Sequence, residues 1–269
     1  MKVVMYHYVR PFDESMPYFK ALNIEDFKKQ LDFFEEKYGF VSKKDFIESL
    51  NSKKACNGVI LTFDDGFKDH YEFVFPELVK RGLWGIFYIP TKPLSTEKLL
   101  DVHSTHVLLG KFGGRVIYNS LKEIINKGVL SHKHINEFNS LTYSKQDNDN
   151  QTKMVKRILN YFIDYKYRGD VVTKLMKIYF PNSLKLHRNF YMTKDEINKM
   201  YKSGMIIGSH SVTHPVMSKL KFKDQQKEIL NSFDELSFAI DNKLKTFCYP
   251  YGGFHTFTNE TLQILKKSN

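Results

Sequence analysis

Cysteine is nearly absent from this chain. Cys56 and Cys248 are the only two in 269 residues, far apart and outside any CxxC pair, so neither a disulfide scaffold nor a cysteine-based metal site is expected. Long apolar runs are missing as well: none approaches the roughly 18 residues of a membrane span, so no transmembrane segment is expected. Arginine is scarce within an otherwise basic composition. Of 41 basic residues only Arg10, Arg81, Arg115, Arg157, Arg168 and Arg188 carry a guanidinium, against 30 acidic residues and a net charge of +11. Phosphate and base recognition favours the planar guanidinium fork. The lysines are spread along the whole length, which describes a solvated surface. No helix-turn-helix, zinc-finger or aromatic stacking pattern appears, and nucleic acid is not an expected partner. The opening MKVVMYHYVR has too short an apolar stretch for a secretory leader, so a cytoplasmic location is the expectation.

What the chain does have is core-forming material, 42% hydrophobic against 26% charged, enough for one large domain or a domain with an insertion. Five short apolar runs end in polar or turn residues. Lys2–Tyr6 leads to His7, Gly58–Phe63 to Asp64-Asp65-Gly66, and Met205–Gly208 to Ser209-His210; Gly85–Ile89 and Lys245–Tyr249 each stop at a proline. They are strand-length and do not alternate, as parallel strands buried on both faces would read. Helical patterns lie between them. Asn23 caps one carrying Ile24, Phe27, Leu31, Phe34 and Tyr38, stopped by Gly39; others are His70–Arg81, a segment capped by Thr193, Phe222–Ile240 and Thr258–Lys267. Strand and helix in alternation predict an α/β fold with functional residues at strand C-terminal ends. Residues from about 92 to 188 break this rhythm. They predict a mostly helical insertion with a polar loop at 144–151, of the kind that shapes access to a site.

Three strand ends carry candidate chemistry. In Thr62-Phe63-Asp64-Asp65-Gly66, two adjacent carboxylates are electrostatically awkward unless a cation or proton shares their site. In His210-Ser211-Val212-Thr213-His214, two imidazoles four apart face one way if the segment is helical. Tyr249-Pro250-Tyr251-Gly252-Gly253 reads alone as a turn. Each has an ordinary structural explanation. Together they supply one carboxylate and two histidines as ligands, with a second aspartate left over as a base, which is the composition of a catalytic metal site with open positions.

LTFDDG, GSHSVTHP and FCYPYGG, in that order, closely resemble the motifs of the polysaccharide deacetylase family, the NodB-homology domain of carbohydrate esterase family four. The opening VMYHYV also looks like the start of many bacterial members. The resemblance covers roughly residues 1–92 and 190–265. It implies a distorted (β/α) barrel, either complete or stopping short at its C-terminal side, as a single domain over 1–269 with the helical insertion at about 92–188. It also implies metal-dependent removal of N-acetyl groups from a carbohydrate or sugar-containing precursor. By motif position, Asp64 corresponds to the base that activates a metal-bound water, Asp65, His210 and His214 to the metal ligands, and Tyr251 to the residue whose backbone N–H holds the oxyanion. Zinc is the first expectation from that ligand set, with cobalt, nickel, manganese and iron also suited. The absence of a leader points to a nucleotide-linked or lipid-linked sugar, or a small glycan, as substrate.

Two departures accompany the resemblance. Cys248 stands where the family often has an arginine that orients the base, and the family's later motif supplying a general acid is not visible. His103 is the first candidate for that acid and His7 the second, with His106 and His255 behind them. Two other functions fit the same residues: a deacylase removing formyl or O-acetyl groups, and a catalytically inactive carbohydrate-binding protein on a deacetylase fold.

Overall fold

The structure, a computed structural model, describes residues 1–125, 127–130, 139–144, 146–181, 184–241 and 243–268. The chain divides into two compact units. The first comprises Met1–Phe12, Ala21–Thr96 and Asn189–Asn269; the second comprises Asp13–Lys20 and Glu97–Arg188. No helix among the described residues is long and apolar enough to cross a membrane.

The first unit is built on a parallel sheet of β1 (Lys2–Tyr6), β2 (Val59–Asp64), β3 (Ile86–Ile89) and β4 (Ile206–Ser209), in that spatial order. Its register aligns Tyr6 with Phe63, Phe63 with Phe87, and Phe87 with Ile207. Three aromatic rings therefore fall in one row. Tyr6 stacks on Phe63 at 5.5 Å between centroids and Phe63 on Phe87 at 4.6 Å, while Phe27, from the helix Ile24–Tyr38, meets Tyr6 edge-on at 5.1 Å. Because strand side chains alternate, the next residue, Asp64, points to the opposite face from this row. The same register brings the ends of β2, β3 and β4 level, so that Asp65 and His210 leave the sheet along one edge.

The sequence signals at helix ends are realised physically. Asn23 accepts from the backbone N–H of Glu25, Gly39 ends that helix at φ 65°, and Thr193 with Glu196 forms a reciprocal capping box. Two strand expectations need correction. β1 is not buried on both faces: among the described residues it has a strand neighbour on one side only, and Val3 and Met5 are 58% and 57% exposed while Tyr6 is buried. Lys245–Tyr249 is not a full strand either. It contributes one parallel bridge, Ser209 with Phe247, and Pro250 has no N–H with which to extend the ladder. Gly208 suits this close approach, because an added Cβ there would collide with the Thr246 hydroxyl of the crossing chain and with the Tyr88 ring of β3. The arc thus has a fifth position beyond β4. Among the described residues no ladder joins that position to β1, so the fold is an α/β parallel sheet without an observed closed ring.

The second unit is helical among its described residues: Asp101–Ile124, Asn150–Arg157, a π-helical turn Ile158–Phe162, Tyr165–Tyr179 and the short Leu184–Arg188. Gly113, at φ 77°, breaks the first of these. Asp149 caps the second, so the 144–151 tract is a loop only up to that cap; its Lys145 lies outside the described residues. Buried Arg168 donates to Asn160 Oδ1 at 2.9 Å, joining helix to turn.

One buried imidazole links this fold to pH. His70 is fully buried, its Nε2 bonded to the carbonyl of His7 at 2.7 Å, and burial pushes its pKa down from 6.5 to about 4. A depressed native pKa means that the unfolded chain binds the proton first. The contribution of neutral His70 is therefore complete above about pH 6.5 and is lost as pH falls toward about 4, a loss of about 3 kcal/mol at most. Urea unfolding compared at about pH 7 and about pH 4 should show a smaller acid loss in His70→Gln than in the wild type. Equal losses would mean that His70 is not the group titrating.

Candidate active site

β2 is buried from end to end, and at its exit the backbone turns through Asp65 at φ 80° and Gly66 at φ 65°. An added Cβ on Gly66 would press on Ile89 at 3.2 Å, so the tight turn against β3 needs glycine. His210 leaves β4 directly. The segment to His214 is not helical, contrary to the geometry that would put residues four apart on one face. Ser211 and His214 are left-handed, at φ 66° and 57°, and Pro215 disfavours helical backbone at the residue before it. Side chains hold this bent loop. Ser211 Oγ accepts from the His214 N–H at 3.0 Å. Glu228, on the helix Phe222–Glu235, accepts from the Val212 and Thr213 N–H groups at 2.9 and 2.8 Å and from the Thr213 hydroxyl at 2.7 Å. Neither spacing nor motif singled out Glu228; its only signal was an acidic residue on a helix that packs behind β4.

The loop delivers His214 Nε2 to 3.1 Å and His210 Nε2 to 3.5 Å from Asp65 Oδ1, and all three residues are buried. Their potential ligand atoms lie within 4.8 Å of one another. His210 Nδ1 donates to the Cys248 carbonyl at 2.8 Å, which leaves Nε2 as the lone-pair nitrogen facing the carboxylate. Burial, reinforced by His214, pushes the His210 pKa down to about 3, so this imidazole is neutral at physiological pH. An imidazole lone pair and a buried carboxylate oxygen thus face each other across a short gap. That donor set, one carboxylate and two imidazoles, fits a divalent transition metal.

Asp64 lies beside the ligands in a different environment. It is 2% exposed, and burial raises its pKa from 3.8 to about 6. Its Oδ2 accepts from Cys248 Sγ at 3.4 Å, and its Oδ1 has no hydrogen-bond partner among the described residues. His7, just past β1, places Nε2 3.9 Å from Asp65 Oδ2 with its side chain 42% exposed. Tyr251 is left-handed at φ 68°, followed by Gly252 and Gly253 at 60° and 83°, and its ring lies 4.9 Å from that of His214. Of six non-glycine residues with positive φ among those described, Asp65, Ser211, His214 and Tyr251 are in or beside this cluster. Backbone strain concentrated in this way is characteristic of functional sites.

His103 belongs to the second unit, fully buried in the first turn of Asp101–Ile124 with its ring 5.9 Å from that of His106. His255 gives its carbonyl to the Ser218 hydroxyl at 2.7 Å. Within the first unit, His7 is a third histidine near the Asp65 carboxylate, besides His210 and His214.

Residues 149–269 match the polysaccharide deacetylase family. The matched stretch contains His210, His214, Cys248 and Tyr251, whereas His7, Asp64 and Asp65 lie before it. Solved structures of polysaccharide deacetylases share the fold. The Streptococcus pyogenes deacetylase PplD, in complex with acetate, aligns over 100% of this chain and 80% of its own at 17% identity and a TM-score of 0.57. IcaB from Ammonifex degensii aligns over 100% and 80%, at 18% identity and a TM-score of 0.56. A de-N-acetylase from Aggregatibacter actinomycetemcomitans aligns over 100% and 84%, at 15% identity and a TM-score of 0.54. Identity this low establishes a common deacetylase fold and no more. No curated protein matches the sequence.

The loop brace yields a test within this deacetylase fold. Removing the Glu228 carboxylate orphans two backbone donors and frees the loop carrying His214. Glu228→Ala should weaken zinc binding roughly tenfold or more, by competition with a chromophoric chelator, with the chain still folded. Unchanged affinity would show that the loop keeps its shape without the brace.

Proposed function

We propose that this protein is a metal-dependent hydrolase that removes N-acetyl groups from a carbohydrate. The observation that carries the reading is the contrast between two adjacent carboxylates. Asp65 faces two buried imidazoles, while Asp64 keeps one buried oxygen without a hydrogen-bond partner among the described residues. The deacetylase family match and the shared fold support carbohydrate deacetylation as the reaction class.

Asp65, His210 and His214 would hold the metal, with zinc the first choice for this donor set. When bound, it supplies a Lewis acid that polarises a carbonyl and lowers the pKa of water. Asp64 Oδ1 takes the proton from the attacking water, a role that its elevated pKa suits. The Tyr251 N–H donates to the oxygen that becomes negative as the amide carbonyl is attacked. His7, reachable from solvent through its exposed side and bonded at its carbonyl to His70, delivers a proton from Nε2 to the departing amine. This reading gives the acid role to His7, on its 3.9 Å approach to Asp65, in preference to His103.

The test begins with elemental analysis of the dialysed protein, where about one equivalent of transition metal is expected in the wild type and none in His214→Ala. Acetate release from N-acetylglucosamine oligosaccharides should fall ~10²–10⁴-fold in Asp64→Asn, with metal retained, and about 10²-fold in His7→Ala. No metal even after reconstitution with zinc or cobalt, or unchanged turnover in Asp64→Asn, would overturn the assignment.

A further inference from the structure

Cys248 makes three distinct connections in the site. Its N–H donates to Ser209 O at 3.0 Å, which seats the segment against the end of β4. Its carbonyl accepts from His210 Nδ1 at 2.8 Å, which turns the ring. Its thiol reaches Asp64 Oδ2 at 3.4 Å, an ordinary separation for a sulfur donor and a carboxylate. The first two are main-chain bonds and do not depend on the side chain. The third is the only hydrogen bond to the Asp64 side chain among the described residues, and Oδ1 is left without one. A carboxylate tethered at one oxygen and bare at the other has lost the freedom to rotate its two oxygens between roles.

We propose that the Cys248 thiol is the positioning residue of the base: its S–H, donated to Asp64 Oδ2, fixes the carboxylate plane so that Oδ1 is presented for proton transfer. The proposal rests on the reading of Asp64 as the base. The thiol is neutral, so it orients the carboxylate without adding a fixed positive charge that would weaken it as a proton acceptor. It is also a weak donor, which leaves Asp64 electron-rich while still costing it a rotation. A second acceptor for the same S–H, the Tyr249 carbonyl, is more distant at 3.9 Å.

Two measurements decide it. The first needs no substrate. The chain has only two thiols, so in a Cys56→Ala background the infrared S–H stretch reports Cys248 alone. The band should be shifted to lower frequency and should move up when Asp64→Ala removes the acceptor. A band that ignores Asp64→Ala would assign the S–H to another acceptor and overturn the proposal. The second is kinetic, with N-acetylglucosamine pentasaccharide as probe. Cys248→Ala should lower kcat roughly 5- to 20-fold with KM and bound metal unchanged, and Cys248→Ser, which keeps a donor, should recover most of it. Wild-type kcat in Cys248→Ala, loss of metal along with kcat, or a serine variant no better than alanine would each refute a positioning role. Asp64→Asn run in parallel separates the two readings. If its turnover is intact, Asp64 is not the base and both fall; if its turnover collapses while Cys248→Ala is unaffected, only this inference falls.

Discussion

A buried carboxylate confronting imidazole nitrogens at 3.1 and 3.5 Å, one of them a neutral acceptor, needs positive charge to share the space. Around Asp65 that requirement organises everything else. At His210 Nε2 a lone pair faces the carboxylate oxygen, and in the proposed function a divalent cation would turn the same atoms into a ligand set. The surrounding structure prevents the alternative of swinging apart. The Cys248 carbonyl fixes one ring, Ser211 and Glu228 brace the loop that carries the other, and the left-handed turn at Asp65 holds the carboxylate. The left-handed backbone at Asp65, Ser211, His214 and Tyr251 is the cost of that convergence, offset by packing and hydrogen bonds elsewhere in the unit.

The frame that bears this cost is the parallel register. Tyr6, Phe63 and Phe87 stack in one row, and the row sets the level at which each strand ends. A one-residue slip of β2 would turn Asp64 into the core and Phe63 out of it, which the buried aromatic stack opposes. The register that packs the core is thus the one that delivers the carboxylates to the mouth. Stability and chemistry are coupled through the same pairing.

Much of this was legible along the chain because local rules govern it. The strand ends at Tyr6, Ile89 and the two aspartates, the Asn23 and Gly39 caps and the Thr193 capping box all follow from residue type at fixed offsets. The convergence of Asp65, His210 and His214 was foreseeable from their places at strand ends. Its mechanism was not. The histidine pair meets through a loop with two left-handed residues instead of a helical face, a geometry that Pro215 favours but spacing does not reveal. Glu228 and His70 were invisible for a different reason: each acts through backbone groups far away in sequence, and such bonds leave no local pattern. β1 looked doubly buried because composition cannot distinguish an edge strand from an inner one.

The deeper division in the site is between two carboxylates that are adjacent in sequence and opposite in environment. Asp65 faces two imidazoles at 3.1 and 3.5 Å, while the Asp64 side chain is bonded by the Cys248 thiol and its pKa is raised chiefly by burial. Ionising both without a cation would set like charges side by side in a poorly solvated space. A cation shared by Asp65, as proposed, would relieve that conflict and leave Asp64 able to gain and lose a proton. Strand geometry makes the asymmetry possible, since consecutive side chains along a strand point to opposite faces and the backbone turns left-handed at Asp65. An Asp-Asp pair at such a position is therefore more than a doubled acid. In the proposed mechanism, the backbone turn at Asp65 would give one of the two to the ion and the other to the proton.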